Sequence, residues 1–223
     1  MFPLRDTQRS YSKPVVTVLL IVINIVVFLY EYSLDDYQLN HLIAQYGLVP
    51  DRFHVANIFT SMFLHGGWLH VLGNMWFLWI FGDNIEDILG HGKFLVFYLL
   101  CGTAAALLQV FFNFDSRVPM VGASGAIAGV MGAYMVKFPR ARILTFVLII
   151  FFIYTFEVPA WLMLIYWFAL QLFGGFDAIT ESQYSQGGGT AFFAHVGGFI
   201  AGMLLIYLLG TRQRYYRRKD LSW

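Results

Sequence analysis

Apolar positions along the chain fall in long blocks separated by short polar stretches. The blocks are Val15–Tyr30, Trp68–Phe81, Phe94–Phe112, Val121–Val136, Ile143–Phe156, Pro159–Phe173 and Thr190–Gly210. Several approach the roughly 20 residues that carry a helix across a bilayer core. The pattern predicts a polytopic membrane protein. Ile143–Phe156 is too short to join the series. It is rich in Ile, Val, Phe, Tyr and Thr, which favour extended chain, and it ends at Glu157-Val158-Pro159. We read it as extended or irregular chain at the interface, leading into a helix with Pro159 near its first turn. Six spans remain, in an all-α bundle.

Composition agrees: 59% of the 223 residues are hydrophobic and 12% charged, against about 45–50% and about 25% in soluble domains. Val15–Tyr30 is long for a signal core and runs into Glu31 rather than a small-residue cleavage site. The lone cysteine, Cys101, excludes an internal disulfide and any cysteine-based metal cluster. A net charge of +1 gives no indication of nucleic-acid binding.

Charge placement orients the spans. With six spans and both termini cytoplasmic, all Lys and Arg residues fall inside except Arg52 and Arg117, as the positive-inside rule requires. A seventh span would move the basic C-terminal residues outside. The expected organisation is a cytoplasmic segment 1–14, a six-helix membrane domain 15–210 and a basic cytoplasmic tail 211–223. The longest connection, Ser33–His65, mixes apolar and polar residues and is expected to lie partly in the outer leaflet. Asp177–Gly189, ending in three glycines, reads as a mobile strap.

Strongly polar side chains in apolar helices usually face the bundle interior. Ser124 stands in Val121-Gly122-Ala123-Ser124-Gly125-Ala126; alone, such a motif reads as close helix packing. His195 stands in Ala194-His195-Val196-Gly197-Gly198, where an interhelical hydrogen bond and a chemical role are equally open. His195, Gly198 and Gly202 share one helix face. The two readings sharpen together. In the six-span topology the helices of Ser124 and His195 both run inward, so these residues lie at one depth near the outer surface. Glycine-rich faces would let the serine oxygen approach to the roughly 2.6–3.2 Å of proton transfer. His70 and Asn74 lie at i and i+4 on the second span. They read either as buried polar glue or as donors to an anionic transition state.

His65-Gly-Gly-Trp-Leu-His70-Val-Leu-Gly-Asn74, Gly122-Ala-Ser124-Gly125 and Ala194-His195-Val-Gly-Gly198-Phe-Ile-Ala-Gly202 resemble, in order and spacing, the motifs of the rhomboid family. The resemblance covers nearly all of Val15–Gly210. It implies a six-helix intramembrane serine protease in which Ser124 is the nucleophile and His195 the general base. It further implies that His70, Asn74 and the Ser124 amide bind the oxyanion, and that Gly198 and Gly202 pack the sixth span on the fourth. Gly82 and Glu86 match a structural pattern of the family, and substrates would arrive between the second and fifth spans. Two positions depart from the pattern. Ala56-Asn57 stands where many members carry Trp-Arg, and Ala128 where some stack an aromatic on the histidine.

No His-Glu-x-x-His motif or paired intramembrane aspartate supports a metalloprotease or aspartyl protease, and no metal or cofactor is called for. Asp83, Glu86 and Asp87 read as the end of the second span, and Asn24, Gln109 and Gln171 as interhelical hydrogen-bond partners. The expected partners are the lipid bilayer and the transmembrane segments of substrate proteins, with no nucleic acid. The expected location is a prokaryotic plasma membrane. The alternative is a catalytically inactive relative that binds membrane-protein clients.

Overall fold

The computed structural model describes residues 2–149, 152–181 and 191–211. The glycines of the expected strap and the basic tail past residue 211 lie outside the described residues, as does any contact of the Gln171 side chain. The expected spans each form a helix: α1 Val15–Ser33, α4 Trp68–Leu89, α5 His91–Phe112, α6 Ser124–Lys137, α7 Ala160–Glu181 and α8 Phe192–Leu208. Two short helices, α2 Asp36–Tyr46 and α3 Val55–Thr60, lie in the long connection between α1 and α4. By length and apolarity alone, Val15–Ser33 and His91–Phe112 are the two described helices able to cross a membrane.

The chain reverses from α4 into α5 at one residue. Gly90 holds φ at +80°, a left-handed conformation that glycine adopts without a Cβ clash, and its N–H donates to the Glu86 carbonyl. Helix α6 is the centre of the bundle: Gly125 through Tyr134 are all buried, and α4, α5, α7 and α8 pack around it. A helix surrounded this way has no polar stripe, and none is visible in its sequence.

The contact between α6 and α8 is made by backbone. A Cβ on Gly198 would collide with the Gly125 carbonyl oxygen, and one on Gly202 with the Gly129 carbonyl oxygen. Gly198 and Gly202 were expected to pack this way. Gly129 and Gly132, which face Gly198 and Phe199 of α8, complete the seam.

The all-α expectation needs correction, because the fold includes a three-stranded antiparallel sheet ordered β1-β2-β3. Strands β2 (Arg142–Ile149) and β3 (Phe152–Pro159) pair from Arg142↔Pro159 to Ile149↔Phe152. The run read as extended chain is therefore a hairpin, and α7 starts directly after Pro159. The unexpected member is β1, Phe2–Asp6, which pairs with β2 through Phe2↔Phe146 and Asp6↔Ile143.

The end of α4 does more than terminate a helix. The Glu86 carboxylate accepts hydrogen bonds from the Val16 and Thr17 amides and the Thr17 hydroxyl at 2.7–2.8 Å, satisfying orphan donors at the start of α1. The Asp87 carboxylate accepts from the Tyr11 and Ser12 amides, and Asp83 from the Ser10 hydroxyl. Gly82 admits the Thr17 side chain, which would lie 3.0 Å from an added Cβ.

Candidate active site

Ser124 is the first residue of α6. A helix leaves its first amides outside its own hydrogen-bond ladder, so the Ser124 N–H and hydroxyl both stand at an unpaired helix end. His195 lies in the first turn of α8. Helices α6 and α8 touch through glycine just past both residues, and the His195 Nε2 comes to rest 2.7 Å from the Ser124 Oγ. His195 is buried, at 8% exposure.

Two further side chains of α4 converge on the residue that precedes this turn. Gly122 has φ +122°, and a Cβ there would stand 2.7 Å from His70 Nε2 and 3.5 Å from Asn74 Nδ2. The Gly66 amide donates to His70 Nδ1 at 3.4 Å, which leaves the ring proton on Nε2, the nitrogen nearest Gly122. The Asn74 Nδ2 is buried and has no hydrogen-bond partner among the described residues. Buried amide donors are almost always paired, so this one, 3.5 Å from where a Gly122 Cβ would stand, is available to a negatively charged oxygen. His70 Nε2 and Asn74 Nδ2 thus both face Gly122, two residues before Ser124.

The chain that carries Gly122 is fixed from the other side. Its N–H donates to the Ser61 carbonyl at 2.8 Å, and Met120 exchanges backbone hydrogen bonds with Leu48 at 2.8 and 3.0 Å. The chain just before Leu48 is in turn held by Asn57, whose Nδ2 donates to the Gln45 and Gly47 carbonyls at 3.1 and 2.8 Å. The Ala56-Asn57 departure thus has a structural answer: Asn57 anchors the long connection through its amide. His65 is buried and packs edge-on against the His70 ring, centroids 5.1 Å apart. Its amide donates to the buried Glu31 carboxylate of α1. Burial pushes the His65 imidazole down to about 4, so it is neutral.

The Ala128 departure has an answer too. Ala128 is fully buried, and the ring that leans on His195 comes from α7: Trp167, with centroids 5.7 Å apart and planes tilted by 41°. Gln109 of α5 accepts from the Ala194 amide at 3.1 Å, an interhelical bond as expected. Asn24 departs from expectation, because its Nδ2 donates within its own helix to the Leu20 carbonyl. A small cavity opens beside Ser124. It is walled by Gly102, Ala105, Gly125 and Ala126, with Met62 and Met120 at its side.

Among the described residues, no group of three His, Cys, Asp or Glu side chains could hold a metal ion. The arrangement offers a hydroxyl joined to an imidazole and, at Gly122 two residues before that hydroxyl, two side-chain nitrogens of α4. Such a set can take a proton from oxygen and stabilise a developing oxyanion.

Comparison with known proteins gives a family match over residues 52–212, to the Rhomboid domain. RHOMBOID-like protein 1 of Arabidopsis thaliana is 31% identical over 176 residues, covering 78% of this chain and 40% of that protein. Rhomboid protein 1, mitochondrial, of Saccharomyces cerevisiae is 29% identical over 178 residues, covering 74% of this chain and 45% of that protein. The presenilin-associated rhomboid-like protein, mitochondrial, of Bos taurus is 35% identical over 89 residues, 37% of this chain and 22% of that protein. The chain therefore spans less than half the length of these relatives.

Proposed function

The chain belongs to the rhomboid family of integral membrane proteins, and from that premise we propose that it is an intramembrane serine endopeptidase with a Ser124–His195 dyad. The observation that carries the reading is the 2.7 Å contact between His195 Nε2 and Ser124 Oγ, together with the Asn74 donor that has no partner among the described residues.

In the proposed reaction, His195 Nε2 takes the hydroxyl proton as Ser124 Oγ attacks the scissile carbonyl carbon. The carbonyl oxygen becomes negative and is held by His70 Nε2–H, Asn74 Nδ2–H and the Ser124 amide. The C–N bond then breaks, and the proton on His195 leaves with the amine. Water, deprotonated by the same imidazole, releases the acyl group and restores the hydroxyl. Two residues suffice for this proton path.

Helices α1, α4, α5, α6, α7 and α8 are the proposed six spans, with both termini cytoplasmic and the dyad near the outer face. The proposed divisions are 1–14, 15–210 and 211–223. Substrates are transmembrane segments that approach between α4 and α7. Their scissile bond must leave its helix to be attacked, so helix-weakening residues favour cleavage. The cavity walled by Gly102, Ala105 and Gly125 suits a small side chain at the cut. The inside-positive charge suits a prokaryotic plasma membrane, whereas two of the relatives above carry mitochondrial in their names; fractionation of the native membranes distinguishes the two.

The test is cleavage of a panel of transmembrane substrates by the purified wild type and Ser124→Ala in liposomes. The reading requires cleavage by the wild type and none by the variant. Cleavage that survives in pure Ser124→Ala would end it.

A further inference from the structure

The geometry points to Trp167 of α7 as a positioning residue for His195, its indole holding the orientation of the dyad imidazole. This inference rests on the reading of Ser124 and His195 as a catalytic dyad.

A catalytic imidazole must be held in its ring plane as well as hydrogen-bonded, because rotation about its side-chain bonds carries Nε2 away from the serine. Helix α6, which carries the nucleophile, supplies no ring for this. One turn beyond Ser124 it has only the methyl group of Ala128, and beyond that the backbone contacts of Gly125, Gly129 and Gly132 with α8 leave no room for a large side chain. Trp167 approaches from α7 instead, its indole leaning on the imidazole at 5.7 Å.

The indole is itself held in a row of rings. Trp167 also meets Phe199, one turn further along α8, with centroids 6.1 Å apart and planes at 31°. The neighbouring Phe168 stacks on the same Phe199 at 4.7 Å and 27°. Phe199 is buried. The row Trp167, Phe199, Phe168 joins α7 to α8, and its outer member is the one that reaches the histidine. Aromatic pairs are worth enough to bias a rotamer and too little to forbid its change.

The experiment separates this role from simple packing and from control of substrate access. A small fluorophosphonate reacts with an activated serine without crossing between helices. The Ser124 Oγ–P bond forms, the P–F bond breaks, fluoride leaves, and the serine proton passes to His195. Its labelling rate therefore reports the reacting site and not substrate entry. Wild type, Ser124→Ala, Trp167→Leu, Trp167→Phe and Phe168→Leu are to be compared in detergent. We expect Trp167→Leu to label roughly three- to tenfold more slowly than wild type, the range an aromatic pair supports. Trp167→Phe, which keeps a ring, is expected to recover most of the rate. Phe168→Leu, which loosens the same helix contact without touching His195, is expected to label at the wild-type rate. A wild-type rate for Trp167→Leu overturns the inference, as does an equal slowing by Phe168→Leu. Wild type labelled no faster than Ser124→Ala overturns the dyad reading itself, a distinct result.

Discussion

Gly198 lies directly on the carbonyl oxygen of Gly125, so that no Cβ fits between them. The two residues sit three positions past His195 and one past Ser124, and their contact sets how near those side chains come. A methyl group at position 198 must push α8 off α6 or distort one of the backbones. Overpacking of this kind costs about 1–3 kcal/mol. We expect Gly198→Ala to lower the thermal midpoint in detergent and to reduce fluorophosphonate labelling of Ser124. Gly92→Ala, in α5, is the informative partner, since a Cβ there would meet nothing within 4 Å. Equal losses in both variants would refute a specific role for the Gly125 contact.

Asn74 allows activity and stability to be pulled apart. Its Nδ2 is buried without a partner among the described residues, a state that costs free energy in the resting protein. Removing that donor should relieve the cost while withdrawing a ligand of the oxyanion. Asn74→Ala is expected to lower kcat by about 10²–10³, with little change in KM and a thermal midpoint no more than slightly reduced. The same substitution at His70 should behave similarly in kcat. Cleavage kinetics and thermal unfolding of the same preparations decide the matter. Unchanged kcat in Asn74→Ala would remove it from the oxyanion site.

Asn57 anchors the chain that supports Gly122. Its two hydrogen bonds to the Gln45 and Gly47 carbonyls precede the Leu48–Met120 pair, which precedes Gly122. Asn57→Ala should cost about 1–2 kcal/mol, two ordinary hydrogen bonds at a half-buried position. The loss should be local. Hydrogen exchange is expected to quicken at the Leu48 and Met120 amides and to stay unchanged in α5. Exchange that rises uniformly, or does not rise at Met120, would contradict this route.

Much of this site was legible because membrane burial makes polar residues conspicuous. Ser124, His195, His70 and Asn74 stand among apolar neighbours, and charge placement put the first two at one depth. Their ring support was not legible. Trp167 sits in Ala-Trp-Leu-Met-Leu-Ile-Tyr-Trp-Phe, where nothing marks one aromatic as the neighbour of a histidine on another helix. Gly129 and Gly132 were equally silent, since glycine at a helix seam looks like glycine elsewhere until the facing helix is known. Strand β1 was missed for a different reason. Phe2-Pro3-Leu4-Arg5-Asp6 has no sustained alternation and contains a proline, and it becomes a strand only by pairing with β2, well over a hundred residues away. The carboxylates at the end of α4 were visible, but their partners on the N-terminal segment were not.

That N-terminal strand carries a pH dependence of its own. Asp6 accepts hydrogen bonds from the Asn84 amide at 3.0 Å and from the Tyr134 hydroxyl, and Trp76 donates to the Pro3 carbonyl at 2.7 Å. Burial pushes the Asp6 carboxyl up from 3.8 to about 7, and the neighbouring Asp83 adds to the rise. The docked strand therefore holds its proton more tightly than the undocked one. The resulting contribution to docking is complete below about pH 4 and declines as pH rises, until it is lost above about 7. At still higher pH the dependence on Asp6 vanishes. We expect hydrogen exchange of the β1–β2 amides, corrected for its intrinsic pH dependence, to lose protection between about pH 5 and about pH 7.5. Asp6→Asn keeps a hydrogen-bond acceptor for Tyr134 but cannot ionise, so its protection should stay level over that range. A wild-type profile as flat as that of Asp6→Asn would show that the docking of β1 does not depend on this carboxyl.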